Sequence, residues 1–180
     1  MIGVLVSGEG TNLQALLGAD LPVAAVASNV TGAPALARAQ AAGVATASFP
    51  LSDFPDREAR DAAMADWLEA NGVELVVCAG YMNLLRPSFL ARFPRRVVNV
   101  HPAPLPGFPG AHPLEDVLAA GAPAAAATVH FVDDGVDTGP VIASEPVPVL
   151  AGDTVETLRA RVHEAEHELL PTVVRELCAR

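Results

Sequence analysis

Thiols and aromatics are scarce in these 180 residues: two cysteines, one tryptophan, one tyrosine and six phenylalanines. Two cysteines make no disulfide framework. Cys78, in an apolar strand-like run, and Cys178, near the C-terminus, read as thiols in a reducing, cytoplasmic compartment. With aromatics at 4%, the core must be built from Ala, Val and Leu. Basic residues are also few, 11 against 21 acidic, for a net charge of −10 and a pI near 4.8. Such a surface repels phosphate backbones and argues against a nucleic-acid partner. It leaves room for a small anion held locally by backbone N–H groups. The opening MIGVLVSGEG has no basic residue and only a short apolar run, so neither a signal peptide nor a membrane span is expected. No repeat or low-complexity linker breaks the chain, and the Pro/Gly-rich stretch Pro102–Pro113 reads as a long functional loop.

What is present is a globular composition, 51% hydrophobic and 18% charged, at a length suited to a single domain over residues 1–180. Apolar runs at Ile2–Val6, Val23–Ala27, Val44–Phe49, Leu75–Ala79 and Val97–Val100 predict buried strands. Between them lie helical patterns at Leu13–Leu17, Ala33–Ala42, Arg57–Asn71 and Pro87–Phe93, with another at Leu114–Ala120. Ala124–Val132 and Val141–Val149 predict two strands joined by an acidic Gly turn. A terminal helix follows from about Thr154 to Cys178. Asp153 is its expected N-cap, paired with Glu156 in a capping-box-like arrangement, and Pro171 is expected to interrupt it. The alternation predicts an α/β fold with a mostly parallel, twisted sheet flanked by helices. Ligands collect at the carboxyl ends of such strands. That rule places Ser7–Asn12, Gly80–Leu85 and His101–Gly110 near one crevice.

Asn99, His101 and Asp137 stand out chemically. Asn99 and His101 lie two apart at a strand end, so both side chains leave one face. Left there without partners, each would cost ~1–3 kcal/mol. An amide and a protonated imidazole suit an oxyanion, and a carboxylate can hold the imidazole or relay a proton. Asp137 has acidic neighbours, Asp133 and Asp134, and several acids in a short loop can raise one another's pKa, which would help a proton relay. Alternatively it is a plain turn-former. The turn Ser7-Gly-Glu-Gly-Thr-Asn12 follows a strand and opens a helix, as a phosphate-binding loop does. It half-matches GxGxxG, but Leu13 replaces the third Gly and Ser28-Asn29 stands where an acidic residue is expected ~20 residues on. A monophosphate is favoured over a dinucleotide. His163-Glu-Ala-Glu-His167 matches HExxH, with Glu164 as the base of a zinc site. A third zinc ligand is lacking, and a solvated helix face is the plainer reading.

Taken in order, SGEGTN, AGYMNLL, NVHPAPLPGFPGAH and TVHFVDDGVDTGPVI resemble the phosphoribosylglycinamide formyltransferase family across nearly the whole chain. The resemblance implies a Rossmann-like single formyltransferase domain. It also implies formyl transfer from N10-formyltetrahydrofolate, as co-substrate, to the amine of 5-phosphoribosylglycinamide in purine biosynthesis, with no metal. By resemblance, Asn99, His101 and Asp137 are the catalytic trio. Gly10, Thr11 and Asn12 hold the ribonucleotide phosphate and Glu166 its ribose. Met82, Leu85 and the loop with Asp133 and Asp134 line the folate-pterin cleft, and Arg57 lies near the folate tail. Asn83, Ala103-Pro104, Gly107 and His163 depart from the family pattern. The implied partners are these small molecules alone, without nucleic acid or membrane, in a monomer or homodimer. A formyltetrahydrofolate hydrolase shares the trio but carries an N-terminal regulatory domain. A methionyl-tRNA formyltransferase carries an RNA-binding domain and a basic surface. Neither extra domain is expected in this sequence. A noncatalytic phosphate-binding α/β module is the remaining alternative.

Overall fold

Ile2–Val6 is a run of five residues with no charge among them, and all five are buried as the first strand, β1. A strand sheathed on both faces has no polar side to show, hence no alternation. The computed structural model describes residues Met1–Ala179. After β1 come α1 (Thr11–Gly18), β2 (Val23–Ser28), α2 (Pro34–Ala41), β3 (Ala45–Ser48), a 3₁₀ turn (Leu51–Asp53), α3 (Arg57–Ala70), β4 (Leu75–Cys78), α4 (Pro87–Arg92) and β5 (Val97–His101). Then follow α5 (Pro113–Ala119), β6 (Ala124–Phe131), β7 (Val141–Pro148) and α6 (Val155–Cys178). The seven strands form one sheet in the order β3-β2-β1-β4-β5-β6-β7. The chain divides into two compact units, Met1–Val98 and Asn99 onward.

In the first unit β1 is central. It pairs in parallel with β2, Val6 opposite Ser28, and with β4, Leu5 opposite Cys78; β2 pairs in parallel with β3. Helix α3 starts where predicted, at Arg57, and is capped by Asp56, whose carboxylate accepts the Ala59 N–H at 2.8 Å. Its buried face carries a charged pair. Arg60 and Asp61 are 1% and 0% exposed, with Arg60 Nη2 2.7 Å and Nε 2.8 Å from Asp61 Oδ1. Both groups also reach the segment after β4. Arg60 Nη1 donates to Asn83 Oδ1 at 3.2 Å, and Asp61 Oδ2 accepts the Arg86 N–H at 2.8 Å. A buried ion pair adds little net stability over apolar residues, but removing one partner strands the other charge.

In the second unit β6 and β7 are antiparallel, from Ala124 opposite Pro148 to Val129 opposite Ala143. The register then shifts, so His130 faces Val141 and Ile142 is left over. This bulge re-aims the strand end beside His130. The edge strand β7 carries Pro146 and Pro148, which supply no N–H donors for sheet extension. Helix α6 buries Leu158, Val162, Glu166, Leu170, Val173, Val174 and Leu177, one stripe at helical spacing. Leu158 and Val162 join Leu114, Val117, Ala125 and Val147 in the core.

Two expectations for α6 are corrected. Its N-cap is Thr154, not Asp153: Thr154 Oγ1 accepts the Thr157 N–H at 3.3 Å and Thr157 Oγ1 accepts the Thr154 N–H at 2.9 Å. Thr157 thus does the work assigned to Glu156. Asp153 instead accepts from Leu150 N–H, Thr157 Oγ1 and Arg161, which hold its carboxyl well below the usual range. Pro171 does not interrupt the helix, which runs through to Cys178. Proline removes one N–H, but the buried stripe on either side keeps the helix on its course.

Arg60→Met is expected to destabilise the protein by ~3–5 kcal/mol, because Asp61 stays buried without its counter-charge. Urea unfolding checks this; a loss under ~1 kcal/mol would mean that Asp61 is satisfied without Arg60.

Candidate active site

β5 ends at His101, and the bend that follows is pinned from β6. The buried Thr128 Oγ1 donates to Ala103 O at 2.8 Å. Ala103 is fully buried, which explains a small residue at this departure from the family pattern. His101 is 4% exposed and both ring nitrogens have partners. Nε2 lies 2.7 Å from Phe108 O and Nδ1 3.5 Å from Asp137 Oδ2. A carbonyl oxygen only accepts, so Nε2 carries a proton.

Asp137 joins more than one imidazole. Its Oδ1 lies 3.5 Å from His130 Nε2, and its Oδ2 accepts the Gly110 N–H at 2.9 Å. Burial alone raises its pKa. Its contacts with His130, the Gly110 N–H and His101 outweigh that and hold it below the usual carboxylate value. The mutual raising that a cluster of acids can produce does not prevail here. Asp133 is spent on its own turn, accepting from Gly135 N–H at 3.1 Å and Thr138 Oγ1 at 2.6 Å, and Asp134 is exposed. Asp137 has φ 53, the left-handed region that Asp tolerates better than most residues. Gly139 follows with Phe131 O only 1.8 Å from where a Cβ would stand, so the turn cannot carry a side chain there.

His130 is the residue that sequence reasoning missed. Its Nδ1 lies 2.9 Å from Phe131 O and so carries a proton. Its Nε2 lies 3.2 Å from Asn99 Nδ2 and 3.5 Å from Asp137 Oδ1, and it accepts from the amide when bare or donates to the carboxylate when it carries the proton. Asn99, His130, Asp137 and His101 form one connected line, and Asn99 keeps a second amide hydrogen for a ligand. A signal was present: His130 lies three residues before Asp133, where the acidic turn begins, at the end of a run of buried β6 residues.

The other predicted positions are placed as follows. Gly10 is the αL residue before α1, φ 75, with Ala35 Cβ 2.5 Å from where its own Cβ would be. No side chain caps this helix, so its first N–H groups, near Thr11 and the buried Asn12, suit an anion. Met82 is 70% exposed and Leu85 is buried; exposed Leu84, between them, was not singled out. Arg57 is exposed on the first turn of α3. Glu166 is 3% exposed, within the apolar stripe of α6. His163 and His167 stack at 6.1 Å. Among the described residues no three His, Cys, Asp or Glu side chains converge as a metal site would require.

A sequence profile of the formyl transferase family matches residues 1–174. The chain belongs to the formyl transferase family. This formyltransferase is 46% identical over 178 residues to phosphoribosylglycinamide formyltransferase of Mycobacterium tuberculosis, covering 97% of this chain and 83% of that protein. It is 40% identical to the trifunctional purine biosynthetic protein adenosine-3 of Drosophila pseudoobscura pseudoobscura, spanning 94% of this chain but 13% of that protein. The crystal structure of phosphoribosylglycinamide formyltransferase from Streptococcus pneumoniae superposes with a TM-score of 0.94 at 44% identity, covering 98% and 97% of the two chains.

Because the folded pKa of Asp137 is depressed, its ionised form adds stability above the ordinary Asp pKa of ~3.9. That contribution is lost as pH falls through the lower folded value. The melting-temperature difference between wild type and Asp137→Asn is expected to be flat above about pH 5 and to shrink below it. A difference that is unchanged down to pH 3 would contradict the depressed value.

Proposed function

We propose that this chain transfers the formyl group of N10-formyltetrahydrofolate to the amine of 5-phosphoribosylglycinamide, a step of purine biosynthesis, and acts as one cytoplasmic formyltransferase domain. The observation that carries the reading is the connected line of Asn99, His130, Asp137 and His101. Acyl transfer needs a donor for an oxyanion and an acceptor for a proton, and this line supplies both. No helix among the described residues is long and apolar enough to cross a membrane.

The neutral amine attacks the formyl carbon, and its carbonyl opens to an oxyanion. Asn99 donates the amide hydrogen that His130 does not use. His101, as a cation beside ionised Asp137, neutralises the developing charge. Its Nε2–H reaches the formyl oxygen when that oxygen takes the place of Phe108 O. The amine proton passes to Asp137, directly or through water. It ends on N10 of the folate as the bond from the formyl carbon to N10 breaks, releasing tetrahydrofolate and the formylated ribonucleotide. His130 Nε2 adjoins both Asn99 and Asp137 and orients whichever of them it hydrogen-bonds. Gly10, Thr11 and Asn12 hold the phosphate and Glu166 the ribose. Met82, Leu85 and the turn with Asp133 and Asp134 receive the pterin, and Arg57 the folate tail. Holding both reactants supplies several kcal/mol of the barrier.

Asn99→Ala, His101→Ala and Asp137→Asn are each expected to lower kcat by at least ~100-fold. Affinity for both substrates should change little in Asp137→Asn. Steady-state kinetics with glycinamide ribonucleotide or water as acceptor tests this and separates transfer from hydrolysis. Near-normal kcat in a folded Asp137→Asn would remove that carboxylate from the mechanism.

Dialysis against EDTA is expected to leave activity intact, since these side chains meet the charge and proton demands. Activity lost with the metal and restored by zinc would move the chemistry to His163 and His167.

A further inference from the structure

Ser7 follows the apolar run of β1 and opens the Gly-rich turn, and its N–H and hydroxyl are spent on other segments. Its N–H donates to Gly80 O at 3.1 Å. Its hydroxyl oxygen accepts the Met82 N–H at 2.9 Å, across 75 residues of sequence. The hydroxyl hydrogen goes to Asn29 Oδ1. An N–H only donates, so the oxygen must accept from Met82, and its single proton has Asn29 as its acceptor. The hydroxyl is oriented from both sides.

The turn and the segment after β4 are each held elsewhere too. Gly8 O accepts the Ala35 N–H at 3.1 Å, and Glu9 O accepts from Arg38 Nε at 2.7 Å. Asn83 and Arg86 are held by Arg60 and Asp61. Between these anchors, Met82 and Leu84 stand 70% and 52% exposed, apolar side chains that a flat ligand would cover. Ser7 is where the two segments meet.

We propose that Ser7 is a positioning residue that couples the two substrate sites, so that a ligand on one loop pre-orders the other. This rests on the reading that Gly10–Asn12 hold the ribonucleotide phosphate and that Met82 and Leu85 border the pterin. A folate that stills the Met82 segment fixes the Met82 N–H, hence the Ser7 hydroxyl and the start of the phosphate turn. The ribonucleotide then meets a turn already ordered and binds more tightly. By linkage the ribonucleotide tightens the folate by the same factor.

Isothermal titration of the full chain measures this, using 5-phosphoribosylglycinamide and a folate analogue without a transferable formyl group. In the wild type each ligand is expected to tighten the other by about fivefold or more. Ser7→Ala should bring that factor to about one, and Ser7→Thr, which keeps the hydroxyl, should retain it. Hydrogen exchange gives a second readout: ribonucleotide alone should protect the Met82 amide in the wild type and in Ser7→Thr. Should Ser7→Ala fail to fold, the wild-type linkage and Met82 protection still decide. Both ligands binding the wild type without linkage, or linkage persisting in Ser7→Ala, would overturn the coupling and leave the functional reading standing. A wild type that binds neither ligand would overturn both.

Discussion

The proposed chemistry depends on one carboxylate held between two imidazoles. Asp137 is drawn toward His101 by one oxygen and toward His130 by the other, with the Gly110 N–H on the same oxygen as His101. Burial works against its charge, and these partners reverse the balance. Asp137 orients the His101 ring for the role proposed for it beside a developing oxyanion. Without that carboxylate the imidazole would lose its orienting partner. The unusual backbone at Asp137, φ 53, is consistent with a residue whose place is decided by its contacts rather than by its own preference.

Around this carboxylate the fold supplies rigidity at low cost. Buried Thr128 holds Ala103, the bulge at Ile142 re-aims the strand end at His130, and Gly139 lets the acidic turn close against Phe131. In the first unit a different device works. A fully buried Arg60–Asp61 pair reaches from α3 to Asn83 and Arg86, so a loop with exposed apolar side chains is fastened by charge-assisted hydrogen bonds. Asn83, where the family often has Arg, meets a guanidinium that comes from the helix instead.

Strands and helices were legible because period and length were unambiguous: Ile2–Val6 is uniformly apolar, and Arg57–Ala70 has a capping Asp56 ahead of it. The errors fell where side chains compete for the same backbone groups. Asp153, Thr154, Glu156 and Thr157 are all plausible cap residues, and Arg161, four residues beyond Thr157, drew Asp153 away. Pro171 reads as a breaker locally, yet tertiary burial on both sides of it carries the helix through. Asp137 read as one acid among three, because a linear string shows its neighbours Asp133 and Asp134 and not the histidines it meets.

By itself the sequence determined the α/β alternation, the edge of the strands on which Asn99 and His101 stand, the Gly-rich turn and the family. Each of these rests on local periodicity, turn chemistry or residue types at short spacing, which survive in one dimension. Only the tertiary structure decided that His130 joins the line of polar groups, that the Asp137 pKa is lowered, that Arg60 and Asp61 brace Asn83 and Arg86, and that Ser7 ties the Gly-rich turn to Met82. Those are contacts between segments far apart in the chain. Their strength depends on burial and on hydrogen-bond direction, and neither is written in the order of the residues.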